Sequence, residues 1–511
     1  STAGILDGDI EYILVPGELA YVDGFNVYTN LSNFANTSEN VFSGSTYYNY
    51  LAGTKFDYSG IHAGVLHQSD DSTFASDSIA VNNYFEDTSG DNAYDYHEND
   101  SMDGNWNYAE HEDVTYYGIA YGAKDEMRFG FGYVRNNTSE HDYGNLTQIL
   151  TSDDLVSGDM LSYQFDHMNA ESINVNITQR FELSMYYPVD MMDIGFNAYY
   201  GPSLIKNQYN MMDTLYIDRA PAGGPTNYYD STHTIIEDYQ YNSNNWGLNC
   251  IVKRDEDDYT GEFMIGYNNS TLGKTDMFSS DSFYYLEEIT PVVWGNDTTM
   301  VWDSITTMDT LSYQEDLENQ LNAGVKYIRK LDKALFGIGA YFYMNNYTRT
   351  EVNVYDRNYV EHYNNGNGVD DAADYTTTIS GSETRTINFN SVNHNLRLPV
   401  GVEFNANKSL VFRLGAVTNF SWLNSERYER ITQWEPAMSV TEYGDGSVTE
   451  TLIDNPGVRS EGQYEQHDFN KDTRYSYGLG WKISDNFSID LMGFANLTDM
   501  TGWQISANAK F

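Results

Sequence analysis

The sequence predicts an all-β fold: a membrane-spanning antiparallel barrel of about 14 strands, with short turns at one end and long loops at the other. Three observations predict it. Many segments of ten residues or more carry apolar side chains at every second position. The connections between them alternate short and long. No apolar run approaches the roughly 18 residues of a membrane-crossing helix, whereas a barrel strand crosses with ~9–11 residues, only half of them apolar. A mean hydropathy of −0.56 is compatible with that half-apolar pattern. The 45 Tyr and only nine Pro lean the same way, because aromatic residues suit strands and Pro interrupts them. A single cysteine, Cys250, forbids an intrachain disulfide, so a closed strand ladder has to supply the stability.

Residues 1–40 do not alternate cleanly, and form a separate periplasmic or plug segment ahead of a barrel over 41–511. Within them Asp7–Ala20 is a short apolar piece broken at Pro16-Gly17. Strands are then expected at roughly 45–68, 114–123, 127–138, 160–182, 190–209, 244–253, 259–271, 318–329, 334–349, 384–404, 410–426, 472–483, 487–497 and 502–511. The alternation that licenses them is visible residue by residue. Ile173, Val175 and Ile177 oppose Asn174, Asn176 and Thr178. Leu396, Leu398, Val400 and Val402 oppose Arg397, Pro399, Gly401 and Glu403. Phe487, Ile489 and Leu491 oppose Ser488, Asp490 and Met492. In the last strand Trp503, Ile505, Ala507, Ala509 and Phe511 share one face, and Gln504, Ser506, Asn508 and Lys510 the other. Short turns sit at 123–126, 254–258, 330–333, 405–409 and 484–486, and long loops at 69–113, 139–159, 210–243, 272–317, 350–383 and 427–471.

That final amphipathic strand, ending on Phe511, resembles the C-terminal strand of bacterial outer-membrane β-barrel proteins. The piece around Pro16 resembles the N-terminal Asn-Pro-Ala-Gly segment of the FadL family of outer-membrane transporters, with Val15 in place of the Asn and Gly17 in place of the Ala. The resemblance implies a 14-stranded barrel in a Gram-negative envelope, plugged by its N-terminal segment. A chain starting Ser1-Thr2-Ala3, without Met or an apolar leader, reads as a product whose signal peptide is gone.

The chain carries 75 Asp and Glu against 27 Lys and Arg, a net charge of −48. That balance excludes nucleic acid as a partner, since phosphates are held by Lys and Arg. It leaves outer-membrane lipid, small solutes, and either copies of the chain or neighbouring surface proteins. Residues 69–113 alone hold 13 acidic side chains and no Lys or Arg. In the wall, strand parity places Arg128, Arg180, Lys253, Lys326, Arg397, Arg413, Lys482 and Lys510 on the face away from lipid, with Glu182, Asp193, Glu262, Glu403 and Asp490. A charge on the lipid face at mid-membrane costs ~2–4 kcal/mol, which sets that register. Such charges line a pore or fix a plug; alternatively they only neutralise one another inside a closed lumen. Across the 405–409 turn, Glu403 is expected beside Val411, with Arg413 as its diagonal neighbour.

Two readings stand for the acidic loops. Asn99–Glu110 approximates a twelve-residue calcium loop, with Asn99, Ser101, Asp103, Asn105, Asn107 and Glu110 at ligand positions and Gly104 at the sharp turn. This makes Ca2+ the expected ligand, and no other cofactor is required. The alternative is a solvated anionic surface. No nucleophile elbow, phosphate loop, cysteine pair or zinc-protease motif occurs, so enzymatic activity is not expected. Cys250 shares its face with Trp246, Leu248 and Val252, which suits an inert lipid-facing residue. The leading function is a porin-like outer-membrane channel or passive transporter for small solutes, biased toward cations at its mouth. The alternatives are a FadL-like transporter of hydrophobic molecules and a structural or adhesive surface barrel with cation-binding loops.

Overall fold

A computed structural model describes residues 12–22, 24–33, 48–87, 89, 94, 96–155, 159–219, 226–290, 300–367, 369–370, 372–453, 461–484, 486–496 and 499–510. Phe511 and the side chains of Trp503 and Ile505 lie outside this set. A short 3-10 turn, Pro16–Tyr21, leads into 17 strands. These are β1 (Asn26–Asn33), β2 (Tyr48–Tyr58), β3 (Ile61–Glu86), β4 (Tyr96–Tyr121), β5 (Arg128–Asp154), β6 (Asp159–Val189), β7 (Met192–Arg219), β8 (Thr226–Asp255) and β9 (Tyr259–Thr290). They continue as β10 (Met300–Leu331), β11 (Ala334–Asn364), β12 (Tyr375–Asn405), β13 (Leu410–Tyr443), β14 (Val448–Leu452), β15 (Glu461–Ser484), β16 (Phe487–Asn496) and β17 (Asp499–Lys510). Each strand pairs antiparallel with its neighbours, and β1 closes the circle between β17 and β2. The five-residue β14 is a flap on the upper part of β13, so 16 strands form the wall.

The wall therefore has 16 strands, not the 14 expected. One extra strand is β1, inside the segment set aside as residues 1–40; its Asn26–Asn30 pair with Lys510–Ser506 on one side and Lys55–Leu51 on the other. The other comes from 45–68, which is two strands folded at Ser59-Gly60, both with positive φ (52° and 77°). That is the two-residue hairpin turn whose twist matches the flanking strands. The last strand thus zips against β1 rather than against 45–68.

The long loops are also corrected. Residues expected as loops over 69–113, 139–159, 210–243, 272–317, 350–383 and 427–471 are mostly the upper halves of strands 24 to 34 residues long. Alternation fails as a guide there because both faces meet water, so nothing forces every second residue to be apolar. Ser, Thr, Tyr and Val keep these stretches extended regardless. At ~3.3 Å per residue and a tilt near 40°, the long strands stand roughly 65–85 Å tall, against an apolar belt of ~25 Å. Among the described residues the ring is closed only near its short-turn end. Among the described residues, β3 has no neighbour on its β2 side beyond Asp71, and β15 has none on its β16 side before Tyr475. Among the described residues, the tall wall thus has an unpaired strand edge on either side, β3 and β15.

The molecule is apolar on its outside. Phe129, Phe131, Leu183, Phe196, Leu248, Phe263, Ile265, Val325, Ile338, Phe412, Leu414 and Trp481 are 37 % exposed or more, all in the lower third of their strands. Leaving some 20 such side chains in water would forfeit roughly 30–60 kcal/mol. That exceeds the ~5–15 kcal/mol by which folded proteins are stable, so the medium around this belt is lipid. Cys250 sits in it, between Phe196 and Ile265 of the adjoining strands.

Candidate functional site: the inner wall and the segment seated in it

On β5 the run Arg128-Phe129-Gly130-Phe131-Gly132 sends both Phe rings to lipid and leaves the inner face almost bare. Pro16-Gly17 fills that space. A Cβ built on Gly130 would meet Gly17 N and Pro16 C at 2.5 Å, and one on Gly132 would meet the Pro16 ring at 2.8 Å. Around this contact Ile13, Leu19 and Val22 are buried with Tyr28, Leu66, Tyr116 and Ala120 of β1, β3 and β4. This is the main apolar core that the chain possesses among its described residues, and it lies inside the barrel at the short-turn end.

Charged groups pin the segment. Arg128 is fully buried, and its Nε donates to Gly17 O at 3.1 Å. One terminal nitrogen donates to Lys124 O, and the other pairs with Asp193 of β7. The Tyr21 hydroxyl donates to the same Asp193 carboxylate at 2.5 Å, and the guanidinium lies 5.0 Å from the Tyr21 ring and 5.2 Å from that of Tyr186. Lys253 of β8 donates to the Tyr12 hydroxyl at 3.3 Å and stands 4.6 and 4.7 Å from the stacked rings of Tyr12 and Tyr21. Lys55 of β2, fully buried, donates to Val22 O and to Asp57. A buried charge is tolerated only when its charge is compensated. Arg128 and Lys55 pair with Asp193 and Asp57, and Lys253 is met by the Tyr12 hydroxyl and the faces of two Tyr rings.

Arg128, Asp193 and Lys253 are thus brought together around residues 12–22. The remaining wall charges fall into separate groups. Arg180 pairs with Glu182 at 2.6 Å on β6. Lys326 pairs with Glu262 at 3.0 Å across β9 and β10. Arg413 bridges Glu403, at 2.8 Å, and Asp490. Glu403 and Arg413 are directly opposite, not diagonal, because the β12–β13 turn pairs Asn405 with Val411. Arg413, Asp490, Lys482 and Lys510 border a cavity of about 340 Å³ that Tyr21 and Asn26 also line. Arg397 stands directly across from Tyr341 on β11.

The calcium-loop reading fails on geometry. Asn99, Ser101, Asp103, Asn105, Asn107 and Glu110 all lie within the uninterrupted strand β4. Successive same-face side chains of a strand are ~6.6 Å apart, and Glu110 is on the opposite face, so these oxygens do not converge on one ion at ~2.3–2.6 Å. No group of three or more His, Cys, Asp or Glu side chains suited to a metal occurs among the described residues.

Sequence reasoning missed Lys55, Tyr12, Tyr21 and Tyr186, which matter only once the N-terminal segment turns inward. A signal for that turn was present in Gly130 and Gly132, small residues on the inner face of a strand whose outer face is Phe.

No protein-family model and no curated protein matches the chain. Among solved structures, the toluene transporter TbuX of Ralstonia pickettii is 10 % identical, with 98 % of this chain and 92 % of that one covered and a TM-score of 0.26. A FadL homologue from Pseudomonas aeruginosa is 8 % identical, covering 100 % and 96 %, with a TM-score of 0.22. The ferric-catecholate import receptor Fiu from E. coli is 8 % identical, covering 96 % and 82 %, with a TM-score of 0.24. Likenesses this slight carry no argument, and the barrel rests on its own strand pairing, closed from β17 through β1 to β2.

Proposed function

We propose that this chain is an outer-membrane channel, a passive transporter for small polar solutes, with residues 12–22 as the plug at its short-turn end. One observation carries the reading: a segment pinned against the inner wall by Arg128, Asp193 and Tyr21, beneath a wall lined with amides and paired charges. The channel reading is favoured over a carrier of hydrophobic molecules by where the apolar surface lies. Two inner cavities among the described residues are lined chiefly by amide, hydroxyl and charged groups, with a few apolar side chains such as Val134 and Val411. The apolar groove of Phe129, Leu183, Phe196, Leu248 and Ile265 faces lipid. The net charge of −48 raises cation concentration near the opening, so the channel should select cations. Planar-bilayer recording in a KCl gradient tests both points. Steady unitary currents with a cation-selective reversal potential are expected; a closed bilayer would remove the reading.

A second reading, a structural surface barrel that associates with neighbours, is favoured by the upper edges of β3 and β15, which are unpaired among the described residues, since unpaired edges recruit further strands. Cross-linked oligomers without current would select it.

A further inference from the structure

Above the seated segment, on the inner wall, is a cavity of about 500 Å³ reaching from β4 to β10. Its floor includes Val134, which packs on the core around Ile13 and Leu19. Its walls present Asn136, Arg180, Tyr199, Asn245, Asn268 and Gln320. The volume falls within the ~300–1,000 Å³ of small-molecule sites.

Each charged side chain here already has a hydrogen-bond or ion-pair partner. Arg180 pairs with Glu182 at 2.6 Å and lies 5.4 Å from the Tyr199 ring. Glu318 accepts from Asn345 Nδ2 at 2.6 Å. Apart from Arg180 Nε, the buried atoms here without a hydrogen-bond partner are neutral. The Oδ1 atoms of Asn136, Asn245 and Asn268 are buried with no hydrogen bond, as is that of Asn322, two residues along β10 from Gln320. Asn268 and Gln320 join at 2.8 Å through the other end of the Asn268 amide.

As the side chains stand these oxygens are turned to the wall, Asn245 Oδ1 against the Cβ position of Gly201 and Asn268 Oδ1 against that of Gly247. An amide that turns into the cavity makes there the hydrogen bond it lacks in the wall, and a solute that cannot supply that bond forgoes ~1–3 kcal/mol for each group left unmade. An apolar solute supplies none. An anion finds Arg180 already paired with Glu182, and a cation finds one carboxylate, Glu318, already accepting from the Asn345 amide. An amide can also turn to present either its oxygen or its nitrogen, so the fitting ligand must both donate and accept. Hydroxyl groups do both.

We infer that this cavity is a binding subsite for a neutral polyhydroxylated solute of mono- or disaccharide size. The inference rests on the channel reading and names its substrate class. The full-length protein is recorded in planar bilayers with glucose or sucrose added at millimolar concentration. Expected is saturable, sugar-dependent interruption of the ion current, weakened roughly 5- to 10-fold by each of Asn136→Ala and Asn268→Ala. Asn245→Ala is the second choice if either fails to assemble. Current that flows unaltered by both sugars overturns the inference and leaves the channel standing. Absence of any current overturns the channel reading instead. Equilibrium dialysis of labelled glucose against the detergent-solubilised protein then decides the subsite alone: saturable binding lost in Asn268→Ala supports it, and no binding overturns it.

Discussion

Replacing Arg128 by Met should unseat the N-terminal segment. The guanidinium is fully buried, holds Gly17 O at 3.1 Å, pairs with Asp193, and lies under the rings of Tyr21 and Tyr186. Met fills similar volume but supplies none of the charge or donors, and leaves Asp193 buried with Tyr21 alone. Removing one partner of a buried ion pair costs ~3–5 kcal/mol. At 1.4 kcal/mol per tenfold, the unseated population rises by roughly a hundred to a few thousand times. A segment out of place about one part in a thousand would become unseated for a large fraction of the time at that shift. Single-channel recording reads this as open probability. The fully unseated level is set by a truncation that removes residues 1–22. The truncation must stop there, because Asn26 already begins the strand that closes the barrel. If the truncated channel conducts more and Arg128→Met behaves as wild type, the anchor has been misassigned. If the truncated channel conducts no more than the intact one, residues 12–22 obstruct nothing.

Gly130→Val puts a side chain where Gly17 N lies only 2.5 Å from the Cβ position, so the barrel should assemble with the segment displaced. Protease cleavage near Pro16 should accelerate, and unchanged cleavage would contradict the contact. Leu183→Arg, on the lipid belt, should cost ~2–4 kcal/mol in urea-induced unfolding from liposomes, while Ile236→Arg, higher on its outward face, should cost less than ~1 kcal/mol. Equal costs would misplace the membrane. On the outer part of β4, His111 hydrogen-bonds Asp71 of β3, and through Nε2 Asp113 at 3.0 Å. The Asp71 bond, aided by Asp113 and opposed by partial burial, raises its pKa above the ordinary value. A raised folded-state pKa gives stabilisation that is complete below ~6.5 and lost as pH rises through the folded value. Amide exchange in the β3–β4 hairpin, corrected for intrinsic rates, should therefore quicken above neutral pH, and His111→Gln should abolish the change.

What the sequence made legible was the part under physical constraint. Where lipid touches one face and the lumen the other, parity is enforced, and Phe412 against Arg413 or Leu183 against Glu182 could be read directly. Where water touches both faces, parity relaxes, and the upper halves of β3, β4 and β10 passed for loops. The strand count failed at Ser59-Gly60, a hairpin turn too short to interrupt the alternation on either side, and at β1, whose eight residues lie beyond a segment without pattern. The wall charges could be assigned a face, but not partners. Arg128 and Lys253 owe theirs to residues more than a hundred positions away, brought in by a segment whose inward path no local spacing encodes.

Among the described residues the upper edges of β3 and β15 are unpaired, and that has an electrical consequence. Ohmic resistance grows with the length over which current is confined, and here confinement is set by the four short strands β1, β2, β16 and β17, of 8 to 12 residues each. That is roughly 20–30 Å of enclosed path. The tall wall, unpaired along the β3 and β15 edges among the described residues, adds surface and charge but little series resistance. For all its height, an unseated channel should pass current like a short cylinder.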